Sequence, residues 1–422
     1  MSLPSTTIAD LQLLLLDLVS PARAVSQDRL DVLSDPDWEI MLKMMQQHRL
    51  APLLHWQLSR AHAHLQCPES VKNQLLASYQ KSVLRNLMVQ RELLLVHDVL
   101  HSAGIPCIAL KGAFLAFYAY PNAALRPLRD LDILVSAEHV LQAFQVLLDG
   151  GLTRIETYQG SPQAFFDLAE KHLPPLRSPS GTLNIELHHR LFHQEDGDNG
   201  APDLSEEPGF WQRTVELRLT QAMIRYESPT DLLFHLIVHA AYEHEFNNGP
   251  LLLSDLAFLL DTQAIDWPLF WALAESSRKT RGCWLALKLT ERYWGEKSIA
   301  WMPSVATPSD CDAQMEHAAH LMLRDFDARH DVARHATIAE KSTLFAKAAH
   351  MLGGLFVPKA VLAVQYPVRQ DDWWIYFYHP LRWWRLLTKT LPRFLNVGKV
   401  GNLQHEAVKI RGLRQWLQQE PH

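Results

Sequence analysis

Residues 105–135 read IPCIALKGAFLAFYAYPNAALRPLRDLDILV, and the order of residue types in this stretch decides the fold. A strand is predicted over 105–110, then a turn at Lys111 and Gly112, a brief helix over 113–118, a loop holding Pro121 and Pro127, and a second strand over 130–135. Alternate side chains of a strand share a face. Asp130 and Asp132 therefore point one way, while Leu131, Ile133 and Val135 enter a core.

Two neighbouring carboxylates repel each other unless a cation lies between them, and hard oxygen ligands of this kind suit Mg²⁺ or Mn²⁺ completed by substrate phosphates. The same pair also fits two solvated acids at a strand end. The preceding turn supports the first reading. Gly112 lets backbone approach a ligand, the N–H groups opening the helix at Ala113 face an anion, and Lys111 supplies a point charge. A phosphate cradle and a dicarboxylate in one unit predict a metal-bound nucleotide. A third carboxylate is expected on a later strand. Over 183–188, Asn184, Glu186 and His188 alternate with Leu183, Ile185 and Leu187, which fits either a solvated edge or a strand offering Glu186 to the site.

These elements resemble the nucleotidyltransferase superfamily that includes DNA polymerase beta, and most closely its uncharacterised nucleotidyltransferase family. Leu110-Lys111-Gly112, Arg126-Pro127 and Asp130-Leu131-Asp132-Ile133-Leu134-Val135 follow the family's order of L-K-G, R-P and D-x-D-x-L-V, within a resemblance running from about Arg49 to about Leu260. The resemblance implies an α+β fold, a small mixed β-sheet with helices, flanked by N-terminal and C-terminal helical regions. It implies transfer of a nucleoside monophosphate from an NTP to a hydroxyl acceptor. Asp130, Asp132 and Glu186 would be the catalytic metal ligands, and Lys111, Gly112, Ala113, Arg126, His188 and His239 would hold the nucleotide. One departure stands out: the superfamily's usual turn is Gly-Gly or Gly-Ser, and this chain has Lys-Gly. A rival from another class is a catalytically silent nucleotide-binding module in a biosynthetic or polysaccharide-assembly pathway.

At 422 residues, 48% hydrophobic and 20% charged, the chain is long enough for two or three units with substantial cores. The expected organisation is an N-terminal helical region (1–100), the catalytic core (101–195), a helical region packed on it (209–300) and a C-terminal helical, aromatic and basic region (301–422). A net charge of -6 gives no global reason to bind a nucleic-acid backbone. Cys67, Cys107, Cys283 and Cys311 form no C-x-x-C pair, so reduced thiols and a cytoplasmic location are expected. No apolar run reaches the roughly 18 residues needed to cross a bilayer.

Around the central stretch, 71–101 reads as one long amphipathic helix with Leu84, Leu87 and Met88 on its apolar faces and Arg85, Asn86, Arg91 and Glu92 outside them. A helix over 137–148 and a strand over 152–158 follow Val135. His172 and Arg177, in a proline-rich crossing, read as surface residues. Beyond an acid-rich connection over 194–208, Ser228-Pro229-Thr230-Asp231 opens a helix with a capping box. His235, His239 and Tyr242 form a stripe on that helix, which fits packing, a zinc pair or a phosphate contact at His239. Asp255, inside an apolar run, needs a partner, either Arg126 or His239. Later helices are expected over 267–277, 283–294, 313–329 and 338–352. Near the end, Trp373, Trp374, Tyr376, Phe377, Tyr378, Trp383 and Trp384 interleave with Arg382, Arg385, Lys389 and Arg393. An aromatic seal on a domain is the favoured reading there, ahead of a peripheral membrane or protein contact and of nucleic acid.

Overall fold

The structure is a computed structural model that describes residues 6–155, 160–168, 170–193, 203–296, 311–324, 356–368, 371–385, 388 and 400–419. A mixed sheet lies at its centre. The strands are β1 (Ile108–Ala109), β2 (Asp130–Leu134), β3 (Thr153–Arg154), β4 (Leu176–Arg177), β5 (Asn184–His188), β6 (Val215–Leu219) and β7 (Ala222–Tyr226), in the order β3-β4-β5-β2-β1-β7-β6. With helices on its flanks this is the α+β fold expected.

β2 and β5 run parallel, and their register sets Asp132 beside Glu186 and Leu134 beside His188. Leu131, Ile133, Ile185 and Leu187, on the opposite face, are each at most 1% exposed. Burying one such side chain contributes about 1.5–3 kcal/mol, whereas two like charges ~4 Å apart cost about 1 kcal/mol in water and about 4 kcal/mol near a protein surface. The apolar face therefore fixes the register, and the acids follow it.

β6 and β7 form a hairpin that extends the sheet past β1, with β7 parallel to β1. The sequence reading placed only helices in this region. Val215-Glu216-Leu217-Arg218-Leu219 does alternate as a strand should, and Thr220, at φ 55°, turns the chain without a glycine.

The helices that matter for the site are α1 (Ile8–Val19), α2 (Asp35–Gln47), α3 (Ala51–Leu58), α4 (Glu69–Ser102), α5 (Val140–Asp149), α6 (Pro229–Ala241) and α7 (Leu251–Thr262). α4 is the long helix expected, but its faces are reversed in part: Asn86 and Glu92 are buried, and Leu84, Leu87 and Met88 are exposed. The cause is the irregular loop before β2, whose backbone groups need partners. Asn86 Nδ2 donates to the carbonyls of Ala123 (2.6 Å) and Arg126 (2.9 Å), and its oxygen accepts from the Leu128 N–H (3.1 Å). Arg85 donates to the carbonyls of Leu128, Arg129 and Thr182 at 3.2, 2.7 and 2.5 Å.

Ser228 caps α6 as expected, accepting from the Asp231 N–H at 3.1 Å, while the Asp231 carboxylate takes a two-pronged ion pair from Arg213. Helices Trp267–Ser276, Thr280–Trp294 and Cys311–Met322 match the later readings in outline. Residues 156–158, 194–202, 325–329 and 338–352, and Lys389 and Arg393, lie outside the described residues. The aromatic seal is corrected: Trp373, Tyr376, Phe377 and Trp384 are exposed, and the small core there is made by Leu362, Ala363, Tyr366 and Ile375. The four cysteines are free thiols. Among the described residues no helix is long and apolar enough to cross a membrane.

Candidate active site

The turn from Leu110 to Ala113 opens the site. The Ala113 N–H closes it onto the Leu110 carbonyl (3.3 Å), with Lys111 at φ 40° and ψ -102°. That is close to the first central position of a type II′ turn, which favours glycine; a residue with a side chain there stores roughly 1–3 kcal/mol of strain. Lys111 thus keeps the backbone shape of a glycine while adding an ammonium group. The expected anion site at Ala113 is corrected, because its N–H is engaged within the turn and the Lys111 N–H donates to Glu227 Oε2 (3.1 Å). Gly112 is required for a different approach than the one anticipated: a Cβ there would lie 2.8 Å from both Arg126 Nη1 and Leu128 Cδ2.

Asp132, Glu186 and His188 each bring one ligand atom to within 4.8 Å of the others. His188 Nε2 lies 3.1 Å from Asp132 Oδ1 and 3.7 Å from Glu186 Oε2, with the ring 1% exposed. Asp130 lines the same cleft but stands at its solvent edge, outside that three-residue cluster. His172, read as a surface residue, belongs to this wall: its Nε2 is 3.8 Å from Glu186 Oε2, and its ring centre is 5.2 Å from that of His188. A backbone bridge from His172 to His188 draws it there. Arg177 sits on β4, half-buried.

Burial acts to raise the Asp132 carboxyl, but the hydrogen bond and charge of His188, backed by Lys111 and Lys171, hold it well below the ordinary carboxylate range. Burial likewise acts to lower His188, and its bonds to Asp132 and Glu186 overcome that and raise it. Asp130, though open to solvent on one side, is pushed up to about 6, first by the protein crowded around its carboxyl and then by the charges of Asp132 and Glu186.

Facing the acids, a cleft of about 290 Å³ is lined by five cations, Arg49, Lys111, Arg126, Arg129 and Lys171. Three of these are set by acids behind them. Arg126 Nε and Nη2 donate to the two oxygens of Asp255 at 3.0 Å each, which resolves the choice of partner for Asp255 and leaves Nη1 beside Gly112. Lys171 Nζ pairs with Glu243 Oε2 (2.7 Å), and Glu227 takes the Lys111 N–H. Arg49 follows α2 at φ 62°, a helix-ending conformation usually given to glycine, and burial followed by the charges of Arg126 and Arg129 pushes it down to about 10.

His235 and His239 do not share a ligand site. His235 Nδ1 pairs with Glu227 Oε1 (2.6 Å) and His239 Nδ1 with Glu243 Oε2 (2.5 Å). Burial first, then the charges of Lys111 and Lys171, holds both imidazoles well below their ordinary value. Only His239 lines the cleft. The sequence reading missed Arg49, Lys171, His172, Glu227 and Glu243. Glu243 had a signal, its i, i+4 spacing from His239; the others have no spacing that announces them.

The sequence model for a family described as uncharacterised nucleotidyltransferase matches residues 34–295, more than half of the chain. The chain belongs to that family. The nucleotidyltransferase match takes in every strand of the sheet, both acid strands and α2 to α7, and ends before the exposed aromatics of the C-terminal part. No curated protein and no solved structure matches the chain.

The residues present fit a divalent cation. Two carboxylates and an imidazole converge, one carboxylate is held ionised, and Asp130 lines the same cleft.

Proposed function

We propose that the cleft transfers a nucleoside monophosphate from an NTP to a hydroxyl acceptor and releases pyrophosphate. The observation that carries this reading is the parallel register of β2 and β5, which sets Asp132 beside Glu186 opposite five cations. Asp130, Asp132 and Glu186 would hold Mg²⁺ or Mn²⁺, with His188 fixing the Asp132 carboxylate. A divalent ion bound there supplies charge neutralisation at the phosphoryl group and lowers the acceptor's pKa.

The chain's own residues do the rest. Lys111, Lys171 and the Nη1 of Arg126 face the triphosphate and offset the charge that grows on the departing pyrophosphate. His239, held neutral and oriented by Glu243, borders the same space. The acids behind the cations keep them in place before substrate arrives, so little reorganisation accompanies the reaction. We place the protein in the cytoplasm, and we assign the exposed Trp373, Phe377 and Trp384 to a peripheral contact with a membrane or another protein.

The internal bond of the Ala113 N–H favours one second reading, nucleotide binding without turnover. A screen of the four NTPs labelled at either the α or the γ phosphorus separates the two. Pyrophosphate release with the α label retained on product supports transfer. Magnesium-dependent binding without release supports the silent module, and product labelled only from the γ position refutes both.

A further inference from the structure

The nucleotide cleft has a third side, made by α6, α7 and the connection between them. It contributes Leu236, His239, Asn248, Gly249, Leu251 and Leu252 to the lining, with no Asp, Glu, Lys or Arg over 236–252. Leu236, Leu251 and Leu252 are 4–5% exposed, whereas Leu232, Ile237, Leu253 and Leu256 on the same two helices are 0% exposed. The first three therefore end at the cleft, and the others fill the core.

Two polar side chains interrupt this apolar surface. His239, with its side chain 25% exposed, turns Nδ1 to Glu243, whose carboxyl is held well below the ordinary range. Crowding, followed by the charge of Lys111, keeps the imidazole neutral, so Nδ1 carries the proton and Nε2 is an acceptor. Asn248 is half-buried, and its Oδ1 is enclosed without a hydrogen-bond partner. The amide nitrogen, a donor, is the atom left for a ligand.

The backbone that presents Asn248 is held in place despite strain. Glu245 and Phe246, neither of them glycine, have φ 42° and 59°. Phe246 is fully buried and its N–H donates to the Ala240 carbonyl at 2.7 Å, while Arg414 Nη2 donates to Glu245 Oε1 at 2.6 Å. Strain of this kind persists only where the surroundings over-determine it, and it clusters at ligand clamps. Gly249, at φ 105°, then lets the chain turn into α7.

An apolar wall holding one donor and one acceptor matches a nucleobase, which has apolar faces and an edge that sets an acceptor beside an N–H. A phosphate would meet no cation on this side. We infer that the base of the NTP lies against Leu236, Leu251 and Leu252, with His239 Nε2 accepting from a base N–H and the Asn248 amide donating to a base acceptor. These two side chains then set which NTP is used. The triphosphate falls to Lys111, Lys171 and Arg126, so the inference deepens the nucleotidyl-transfer reading and rests on it.

The test titrates the full-length protein, in Mg²⁺, with the α,β-methylene analogues of ATP, GTP, CTP and UTP and with inorganic tripolyphosphate as the probe without a base. One analogue binds about tenfold or more tighter than the weakest of the four and tighter than tripolyphosphate. Asn248→Ala and His239→Phe each lower the ratio of that analogue's affinity to tripolyphosphate affinity by about fivefold or more, and Asn248→Asp, which turns the donor into an acceptor, lowers it further. Unchanged tripolyphosphate affinity in the Asn248 variants reports an intact cleft. Equal affinity for the four analogues, or a preference untouched by both Asn248 variants, overturns the inference. An equal loss of tripolyphosphate and analogue in Asn248→Ala also overturns it, because the residue then serves the fold or the phosphates. If neither tripolyphosphate nor any analogue binds, nucleotidyl transfer itself is overturned and the inference with it.

Discussion

The acid wall and the cation wall of the cleft are built in opposite ways. On the acid side Asp132, Glu186 and His188 come from two adjacent strands paired with each other, and their apolar neighbours fix the face from which they point. On the cation side Arg49, Lys111, Arg126, Arg129 and Lys171 come from turns and loops, and three of them are set by the acids Glu227, Asp255 and Glu243. Charge on regular structure is positioned by the hydrophobic effect; charge on irregular structure needs a dedicated partner for each group. The first wall should therefore tolerate loss of its charges, and the second should not tolerate loss of its partners.

The sharpest break in that contrast is Asp132→Asn. It should remove turnover by about 10³-fold or more while the melting temperature stays within a few degrees, as parallel label-transfer and thermal-melt measurements would show. Asp255→Ala works the other way. It strands the buried Arg126 guanidinium and should destabilise the fold by about 3–5 kcal/mol in a denaturant titration. If Asp132→Asn unfolds the protein and Asp255→Ala does not, the two walls have been assigned backwards.

Lys111→Gly sharpens the comparison at the one residue where strain and charge meet. Relief of the positive φ should leave stability unchanged or raise it by about 1 kcal/mol, and loss of the ammonium should lower turnover about 10- to 100-fold. A smaller effect comes from pH. His62, His235 and His239 fold with lowered pKa, so below their unfolded value near 6.5 the unfolded chain takes up protons that the folded one refuses. Glu227 is raised to about 7 by burial, so its contribution has the opposite sign, present at low pH and lost as pH rises through 7. Asp130 and His188, also raised in the fold, act with Glu227, whereas the lowered His172 and His189 add to the first group, so the net effect is a loss of stability on acidification below pH 6.5. Denaturant midpoints measured across that range should fall; a flat profile would mean the histidines are not held neutral.

The same contrast explains what the sequence disclosed. The period-two alternation around Asp132 and Glu186 is a direct image of the strand pleat, so the acid wall, the parent fold and the family were readable from residue order. Asp255 announced its need for a partner by lying in an apolar run, and Arg126 proved to be that partner. Lys171 with Glu243 left no such trace, because the two are 72 residues apart, and Glu227 with His235 left none because Glu227 precedes the helix that carries His235 and so falls outside its period. The strained Lys111 was visible only as an odd residue in a glycine position. Asn86 ran against its own polarity, since a polar side chain is buried wherever backbone must be satisfied.

The convergence of the β2 and β5 carboxylates on one divalent ion is tested most directly by Mn²⁺ binding, followed by paramagnetic resonance, in the wild type and in Asp132→Asn/Glu186→Gln. Binding in the presence of an NTP analogue by the wild type, weakened at least about 100-fold in the folded double variant, is the predicted result. Equal Mn²⁺ affinity in the two proteins would contradict it.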